Sequence, residues 1–190
     1  MHLVAVMLPV LLFIAPESGQ CQYKEKSVVY EIFRGTDKIG TIVGIQITDG
    51  SKKLFRIQTH LDVRVIFSVK ADIVVRNTFM DDVLTEAYAK RLVNNSVKTN
   101  NAILKQGSRY QMIDKDQDTT FYNGAIGPCV SQLYFGEPVN LTSVFSEAFL
   151  QQVPIRKSSD GIYELILPDG HMNHYTYVNG VCTAVTIETQ

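Results

Sequence analysis

Phe55-Arg56-Ile57-Gln58-Thr59-His60-Leu61-Asp62-Val63-Arg64-Val65-Ile66-Phe67-Ser68-Val69 is a stretch in which apolar and polar side chains alternate. Successive side chains of a β-strand point to opposite faces of the sheet, so this alternation predicts one long strand with an apolar and a polar face. Strands of this kind are typical of antiparallel sheets that cover a core on one side. The apolar parity comprises Phe55, Ile57, Leu61, Val63, Val65, Phe67 and Val69, and the polar parity comprises Arg56, Gln58, His60, Asp62 and Arg64.

Similar strands, separated by turn sequences, continue along most of the chain. Turns are predicted at 35–38, 49–51, 80–82, 94–95, 106–107 and 168–170, and most strongly at Asn179-Gly180, a pair typical of tight hairpins. In the strand predicted at 39–48, Gly40 and Gly44 share one face. Two glycines spaced in this way leave room for a neighbouring aromatic side chain or for strong coiling of the sheet.

These patterns predict a single all-β domain. We expect one large, strongly curved antiparallel sheet or half-barrel of about ten to twelve strands. The pattern breaks after Pro128, which predicts a short helix at 129–134, and a second irregular or helical piece is predicted at 143–149.

The first 21 residues have the features of a secretory signal peptide, and residues 22–190 then form the domain. Residues 1–15 are an apolar run too short to span a bilayer as a helix, and a polar break follows at 16–20. A buried helix of the domain is the alternative for this run. The prediction places the protein in the periplasm or outside the cell, with no transmembrane segment in the mature chain. Lipidation at Cys21 is a further alternative, although Gln20 precedes it where lipoprotein signals prefer a small residue.

The charge balance argues against a nucleic-acid partner. The chain has 18 Lys and Arg against 19 Asp and Glu, and removal of Glu17 with the leader leaves 18 of each. In an oxidising compartment Cys129 and Cys182 can form one disulfide, whereas two separately buried thiols are the alternative.

Motifs for catalysis, cofactors and metals are weak or absent in the sequence. Residues 114–118 begin like a calcium loop, but Thr119 stands where the loop needs glycine, so a polar hairpin tip is the better interpretation. His171 and His174 are three residues apart, a spacing that would let both rings bind zinc from one face of a helix. They lie on a predicted strand, where an odd spacing points the rings to opposite faces and argues against zinc. No phosphate-binding glycine loop, nucleophile elbow or zinc helix occurs. We therefore predict no catalytic residues, no metal and no cofactor.

Candidate ligand-binding residues lie in two places. Arg56, His60, Asp62 and Arg64 form either an ion ladder on the outside of the sheet or a polar inner wall, because the parity alone does not say which face is concave. Tyr134 and Phe135, which follow the predicted helical turn, either cap the concavity or fill it as core.

Three motifs stand out along the chain. They are Tyr30-Glu31-Ile32-Phe33-Arg34-Gly35 with Ile39-Gly40-Thr41, then Leu133-Tyr134-Phe135-Gly136-Glu137-Pro138, and Tyr163-Glu164-Leu165-Ile166-Leu167-Pro168-Asp169-Gly170 with Tyr175-Thr176-Tyr177-Val178-Asn179-Gly180. These motifs resemble those of a family of secreted bacterial β-proteins known only as a domain of unknown function, and the resemblance covers nearly all of the mature chain. More distantly, the chain resembles an uncharacterised envelope family expected to form a half-barrel like that of lipoprotein carriers. The resemblance implies an exported β-protein and no particular activity.

From these observations we expect a cell-envelope protein that binds an apolar or amphiphilic molecule, such as a lipid, without catalysis. One alternative is an interaction or scaffold protein with a filled barrel, which acts through its surface on an envelope protein. The other is a hydrolase with polar residues such as His60 and Asp62 in a cleft.

Overall fold

The computed structural model describes residues 2–8, 23–64 and 68–188, with residues 2–8 and 64 described by their backbone alone. Apart from one 3-10 helix, Val130–Tyr134, the regular elements of these residues are β-strands. The strands are β1 (His2–Leu8), β2 (Tyr23–Arg34), β3 (Asp37–Asp49), β4 (Lys52–Arg64), β5 (Ser68–Met80), β6 (Val83–Val93), β7 (Ser96–Gln106), β8 (Arg109–Ile113), β9 (Thr119–Asn123), β10 (Ser143–Ser146), β11 (Gln151–Ser159), β12 (Ile162–Ile166), β13 (Met172–Val178) and β14 (Val181–Glu188).

The strands follow one antiparallel order, β10-β11-β12-β13-β14-β1-β2-β3-β4-β5-β6-β7-β8-β9. Without β1 this order falls into an eight-stranded part, β2–β9, and a five-stranded part, β10–β14. Among the described residues the end strands β9 and β10 do not pair, so the sheet is open. The prediction of a mainly antiparallel all-β domain is confirmed, although the sheet has more strands than expected.

Several predicted turns have the backbone that tight hairpins require. Both central residues have positive φ at Asp81 and Asp82 (51° and 61°) and at Asn94 and Asn95 (47° and 64°). Positive φ at both positions matches the right-handed twist of the flanking strands. Asn179 and Gly180 have the same conformation. Short polar residues at these turns therefore fix the register of three hairpins.

The long strand predicted at 55–69 is instead the end of one strand and the start of the next. β4 ends at Arg64, which pairs with Ser68 of β5, and Val63 pairs with Val69. The three residues between the strands lie outside the described residues. With three residues between the strands, the apolar residues of both strands fall at odd-numbered positions, so the alternation continues across the break. No glycine or proline marks the break either. Alternation alone therefore does not reveal this hairpin.

The inner face of the sheet is covered by the chain that follows β9. We call residues 126–135, which include the 3-10 helix, the plug. The backbone N–H of Leu84 donates to the carbonyl of Ile126, and the Lys26 ammonium donates to the carbonyl of Phe135 at 2.7 Å. Ile126, Leu133 and Phe135 are buried against the sheet. The prediction of a short helix after Pro128 is confirmed.

Gly44 makes room for the plug. A Cβ atom at this position would lie 2.8 Å from Cγ2 of Val28, 3.0 Å from Cζ of Phe135 and 3.1 Å from Cδ1 of Ile57. The Phe135 ring packs against Phe55 with the centroids 5.5 Å apart. The expectation that the spaced glycines leave room for an aromatic side chain is therefore confirmed at this glycine.

The second predicted helical piece, 143–149, begins as a strand instead. Residues Ser143–Ser146 form β10, which pairs with β11, for example Val144 with Val153. Phe145 also donates its N–H to the carbonyl of Pro128 at 2.8 Å. The backbone of β10 is therefore hydrogen-bonded on both sides in an extended conformation. These bonds favour a strand although the local sequence pattern is irregular.

Part of the predicted leader lies in the sheet. β1 pairs with β14, as in Ala5 with Val185, and with β2, as in Ala5 with Ile32. Residues 9–22, including Cys21, lie outside the described residues. Processing of the leader stays a prediction. Among the described residues, no helix has both the length and the apolar character needed to cross a membrane.

Candidate functional site

The structure places the predicted site residues on two opposite faces of the sheet. Arg56, His60 and Asp62 share the parity of β4 that faces away from the plug, which we call the outer face. Tyr134 and Phe135 belong to the plug on the inner face. The side chain of Arg64 lies outside what the structure describes. A single site cannot include both groups, because the sheet separates them.

Tyr134 and Phe135 have the contacts of core side chains. Phe135 is buried against Phe55, and the half-buried Tyr134 packs edge-on against Tyr30 and Tyr175, with centroids 5.6 and 5.9 Å apart. The inner concavity at this place is therefore occupied by the protein's own aromatic rings.

Hydroxyl groups of buried tyrosines fix the plug further. Tyr177 donates to the carbonyl of Leu133 at 2.7 Å, and Tyr30 lies 3.2 Å from the carbonyl of Tyr134. Burial raises the pKa of both phenols well above the usual range. The phenols therefore stay protonated and able to donate at any physiological pH.

A cross-strand contact between an imidazole and a carboxylate forms at His60. Its Nδ1 atom lies 2.7 Å from Oδ1 of Asp72 on β5, and both side chains are more than half exposed. Exposed pairs of this kind contribute about 0–1 kcal/mol to stability. His60 and Asp62 also line a shallow depression of about 860 Å³ near the β2–β3 turn. The ion ladder expected along this polar parity stays a prediction, since Arg56 stands opposite Arg76 in the same register.

A larger groove crosses the outer face over β3 to β8, with a volume of about 1000 Å³. Residues in register build it row by row. One row runs from Ile45 through Arg56, Arg76, Tyr88 and Ala102 to Ile113, and the next from Ile47 through Leu54, Thr78, Glu86 and Leu104 to Gln111.

Two arginines stand side by side in the middle of this groove. Arg56 on β4 is the direct register partner of Arg76 on β5, and both side chains are exposed. Like charges directly opposite each other in a sheet are destabilising. Within the part of the chain that the structure describes, neither arginine side chain forms an ion pair or a hydrogen bond, and Glu86 is the carboxylate that lines the groove.

The walls of the groove are apolar. Ile47 and Leu54 lie at one end, and Ile113 and Leu104 at the other, where the Leu104 side chain is 50% exposed. Beyond Gln111, the apolar surface continues to Phe121, which is 51% exposed and has the Arg109 guanidinium 4.3 Å from its ring centroid. Exposed apolar surface around positive charge is suited to an amphiphilic partner.

A buried polar cluster connects the plug to the sheet on the inner face. The Glu147 side chain, only 3% exposed, accepts from Nδ2 of Asn77 at 2.5 Å and from the N–H of Ser131 at 3.3 Å. Burial raises the pKa of the Glu147 carboxyl, although these hydrogen bonds oppose the shift. Oδ1 of Asn77 is buried with no hydrogen-bond partner among the described residues. Asn77 also borders the outer-face groove, whereas Glu147 and Ser131 line none of the three depressions described on this molecule.

Cys129 and Cys182 are free, buried cysteines in the structure. Burial raises the pKa of the Cys182 thiol to about 11 and that of the Cys129 thiol well above its usual value. Thiols with raised pKa values are poor nucleophiles, so neither is suited to catalysis. Their pairing as a disulfide stays a prediction.

No three His, Cys, Asp or Glu side chains of the described residues are grouped so that they would hold a metal ion. The two histidines considered for zinc lie near carboxylates instead. His174 has Nε2 3.4 Å from Glu188 and Nδ1 3.8 Å from Glu164, and His171 has Nε2 4.0 Å from Asp169. Residues 114–118 form a hairpin tip, in which Asp114 accepts from the N–H groups of Asp116 and Asp118.

Sequence reasoning found Arg56 but not most of the groove around it. Arg76, Tyr88, Leu104 and Ile113 were not among the candidate residues. One feature of the sequence did indicate the groove. Ile45 and Ile47 lie on the face of their strand that is opposite to Gly40 and Gly44. Apolar residues on both faces of a strand indicate a second apolar surface.

Comparison with known proteins identifies one family. A family model described as "Domain of unknown function (DUF6134)" matches residues 30–190. No curated protein matches the chain, and no solved structure matches it.

Proposed function

The chain belongs to the DUF6134 family, and we propose that it binds an amphiphilic molecule, without catalysis, in the outer-face groove. The observation that carries the proposal is the groove itself. It combines a volume of about 1000 Å³, apolar walls and two exposed arginines. Pockets of 300–1000 Å³ with a few polar groups among apolar residues are typical of small-molecule sites.

The outer face supports binding better than the inner face. The plug already covers the inner face, with Leu133 and Phe135 buried and Phe135 packed on Phe55. A ligand on that side would have to displace these contacts, which would expose apolar surface and cost free energy. On the outer face, Leu104 and Ala102 are exposed, and binding would remove apolar surface from water.

A hydrolase is the second candidate, and the His60–Asp72 contact favours it. A carboxylate that holds an imidazole Nδ1 atom is the arrangement that orients a catalytic base. However, both side chains are more than half exposed, and no described hydroxyl or thiol forms a hydrogen bond with His60. A base in this position lacks both a nucleophile and a site that excludes water.

We further propose that the protein acts outside the cytoplasm, as the leader-like residues 1–21 suggest. A lipid of the cell envelope is then the natural ligand class. An envelope protein that docks on the exposed apolar residues, such as Leu104 and Phe121, is the alternative partner.

Native mass spectrometry tests the binding proposal. The purified full chain is incubated with a total extract of envelope lipids, and bound species are extracted and identified. Ala102→Trp places an indole ring in the groove from an exposed position, and Gln152→Trp introduces the same side chain at an exposed position on β11. We expect one lipid per chain in the wild type and in Gln152→Trp, and none in Ala102→Trp.

If the wild-type chain binds no lipid of the extract, the ligand proposal is wrong. Binding that is equal in all three chains would place the ligand outside the groove.

A further inference from the structure

We infer that the ligand of the outer-face groove carries a phosphate-type anionic head group, and that Arg56 and Arg76 bind this group together. This inference rests on the proposed function and adds the chemical class of the ligand. It follows from the arginines' register, their exposure and their lack of protein partners.

The register places the two guanidinium groups on the same face at neighbouring positions. Directly opposite residues of an antiparallel pair have Cβ atoms about 4.5–5.5 Å apart, and Arg56 and Arg76 are such a pair. Each guanidinium is always charged and offers five N–H donors in a planar fork that matches phosphate oxygens. An anion between them would receive hydrogen bonds from both sides and would also relieve their repulsion.

Two other basic side chains of the outer face have carboxylate partners. Lys38 lies beside Glu31, and Arg156 beside Glu164, each with a distance of 2.5 Å. In contrast, neither Arg56 nor Arg76 pairs with a carboxylate of the described residues. The groove arginines are therefore available for an external anion.

The remaining charge in the groove does not neutralise the pair. Glu86 lies one row away, opposite Thr78, and is a diagonal neighbour of Arg76. Diagonal neighbours lie within reach of long side chains, but no ion pair joins Glu86 to either arginine within the part of the chain that the structure describes. Two arginines and one glutamate leave the lining with a net charge of +1.

Apolar residues flank the arginine pair on both sides, as a bound amphiphile requires. Ile45 lies directly beside Arg56, and Tyr88, whose hydroxyl donates to Asn100, lies beside Arg76. The six strands of the groove, spaced by about 4.8 Å, span about 24 Å. A head group held at the arginines can therefore place its hydrocarbon tail along the row that contains Leu54 and Leu104.

The test compares two probes with the same tail, dodecyl phosphate and dodecyl maltoside, each titrated below its micelle concentration into the full chain by isothermal calorimetry. We expect the phosphate to bind about 10-fold more tightly, which is about 1.4 kcal/mol. Arg56→Gln and Arg76→Gln should each remove most of this preference, so that the phosphate affinity falls towards the maltoside affinity. Added salt should weaken only phosphate binding, because exposed charges are screened.

Arg91→Gln is the matched control, since Arg91 is exposed on β6 but has the opposite parity. It removes one positive charge and should leave both affinities unchanged. Equal binding of the two probes would overturn the head-group inference and leave the proposed function standing. A loss of phosphate preference in Arg91→Gln as large as in Arg76→Gln would also overturn it, because net charge would then explain the preference. Binding of neither probe would contradict the proposed function itself.

Discussion

The two faces of the eight-stranded part differ in what covers them. On the inner face, the plug contributes Leu133 and Phe135 to a closed core and holds Glu147 in a buried hydrogen-bond network. On the outer face of the same strands, apolar and arginine side chains line an open groove. A curved sheet of this kind suggests an inner ligand cavity, but here the protein's own chain occupies that space. The binding that we propose takes place on the outer face.

The largest expected difference between the faces comes from truncation of an apolar side chain. Phe135→Ala should lower the free energy of unfolding by about 3–5 kcal/mol, because it removes a buried ring and leaves a cavity. Leu104→Ala, an exposed truncation in the groove, should change it by less than about 0.5 kcal/mol. Urea denaturation of both variants measures this difference. A loss below about 1 kcal/mol for Phe135→Ala would mean that the plug is not part of the core.

Overpacking beneath the plug should have the next largest effect. Gly44→Ala places a Cβ atom within 3.1 Å of three side chains, one of them Phe135, and should cost about 1–3 kcal/mol. Gly127→Ala is the matched control, because a Cβ there meets no atom within 4 Å. Thermal unfolding of the two variants compares them. Equal melting temperatures would contradict the close approach of the plug to β3.

Loss of a single hydroxyl should have a smaller effect. Tyr177→Phe removes the donor to the carbonyl of Leu133 and leaves that carbonyl buried without this partner, so about 1–2 kcal/mol of stability should be lost. The corresponding change on the outer face, Tyr88→Phe, removes a hydroxyl from a half-buried ring and should cost less. The midpoints of urea denaturation distinguish the two, and a larger loss in Tyr88→Phe would reverse the comparison.

The smallest effect concerns the pH dependence of stability. Burial raises the pKa of the Glu147 carboxyl above its ordinary value of 4.5. Between pH 4.5 and the raised pKa, the folded chain keeps the carboxyl proton that the unfolded chain releases. The contribution of Glu147 to the free energy of unfolding therefore falls as pH rises from 4.5 through the raised pKa. Glu147→Gln should abolish that part of the slope. Denaturation series at several pH values measure it, and identical slopes in the two proteins would contradict the burial of an ionisable carboxyl.

Much of the fold was predictable from residue types and their conformational preferences. The residues at Asp81-Asp82, Asn94-Asn95 and Asn179-Gly180 adopt the left-handed backbone that tight hairpins need, and their types indicate it. The break after Pro128 and the space left at Gly44 were also predictable from residue types. The connection at 65–67 was not, because it keeps the apolar parity of the strands. The strand Ser143–Ser146 depends on partners distant in sequence, which local patterns do not show.

The candidate site was only partly predictable, for a geometric reason. The alternation in β4 puts Arg56 and His60 on one face, but it does not say which residue of β5 stands opposite each of them. That information is the strand register, which pairs Arg56 with Arg76 and His60 with Asp72. The position of Tyr134 and Phe135 depends on how the plug folds back onto the sheet. The motif that contains them is local in sequence, so it does not show that both residues lie on the inner face.

Photo-crosslinking of a bound amphiphile tests the central claim most directly, because it shows which face of the sheet the ligand contacts. An alkyl phosphate with a photoreactive group in its tail is irradiated with the full chain, and labelled peptides are identified by mass spectrometry. We expect labels on β4, β6 and β7, near Leu54, Tyr88 and Leu104. Labels on the plug, near Leu133 and Phe135, would show that the ligand enters the interior and would contradict the account.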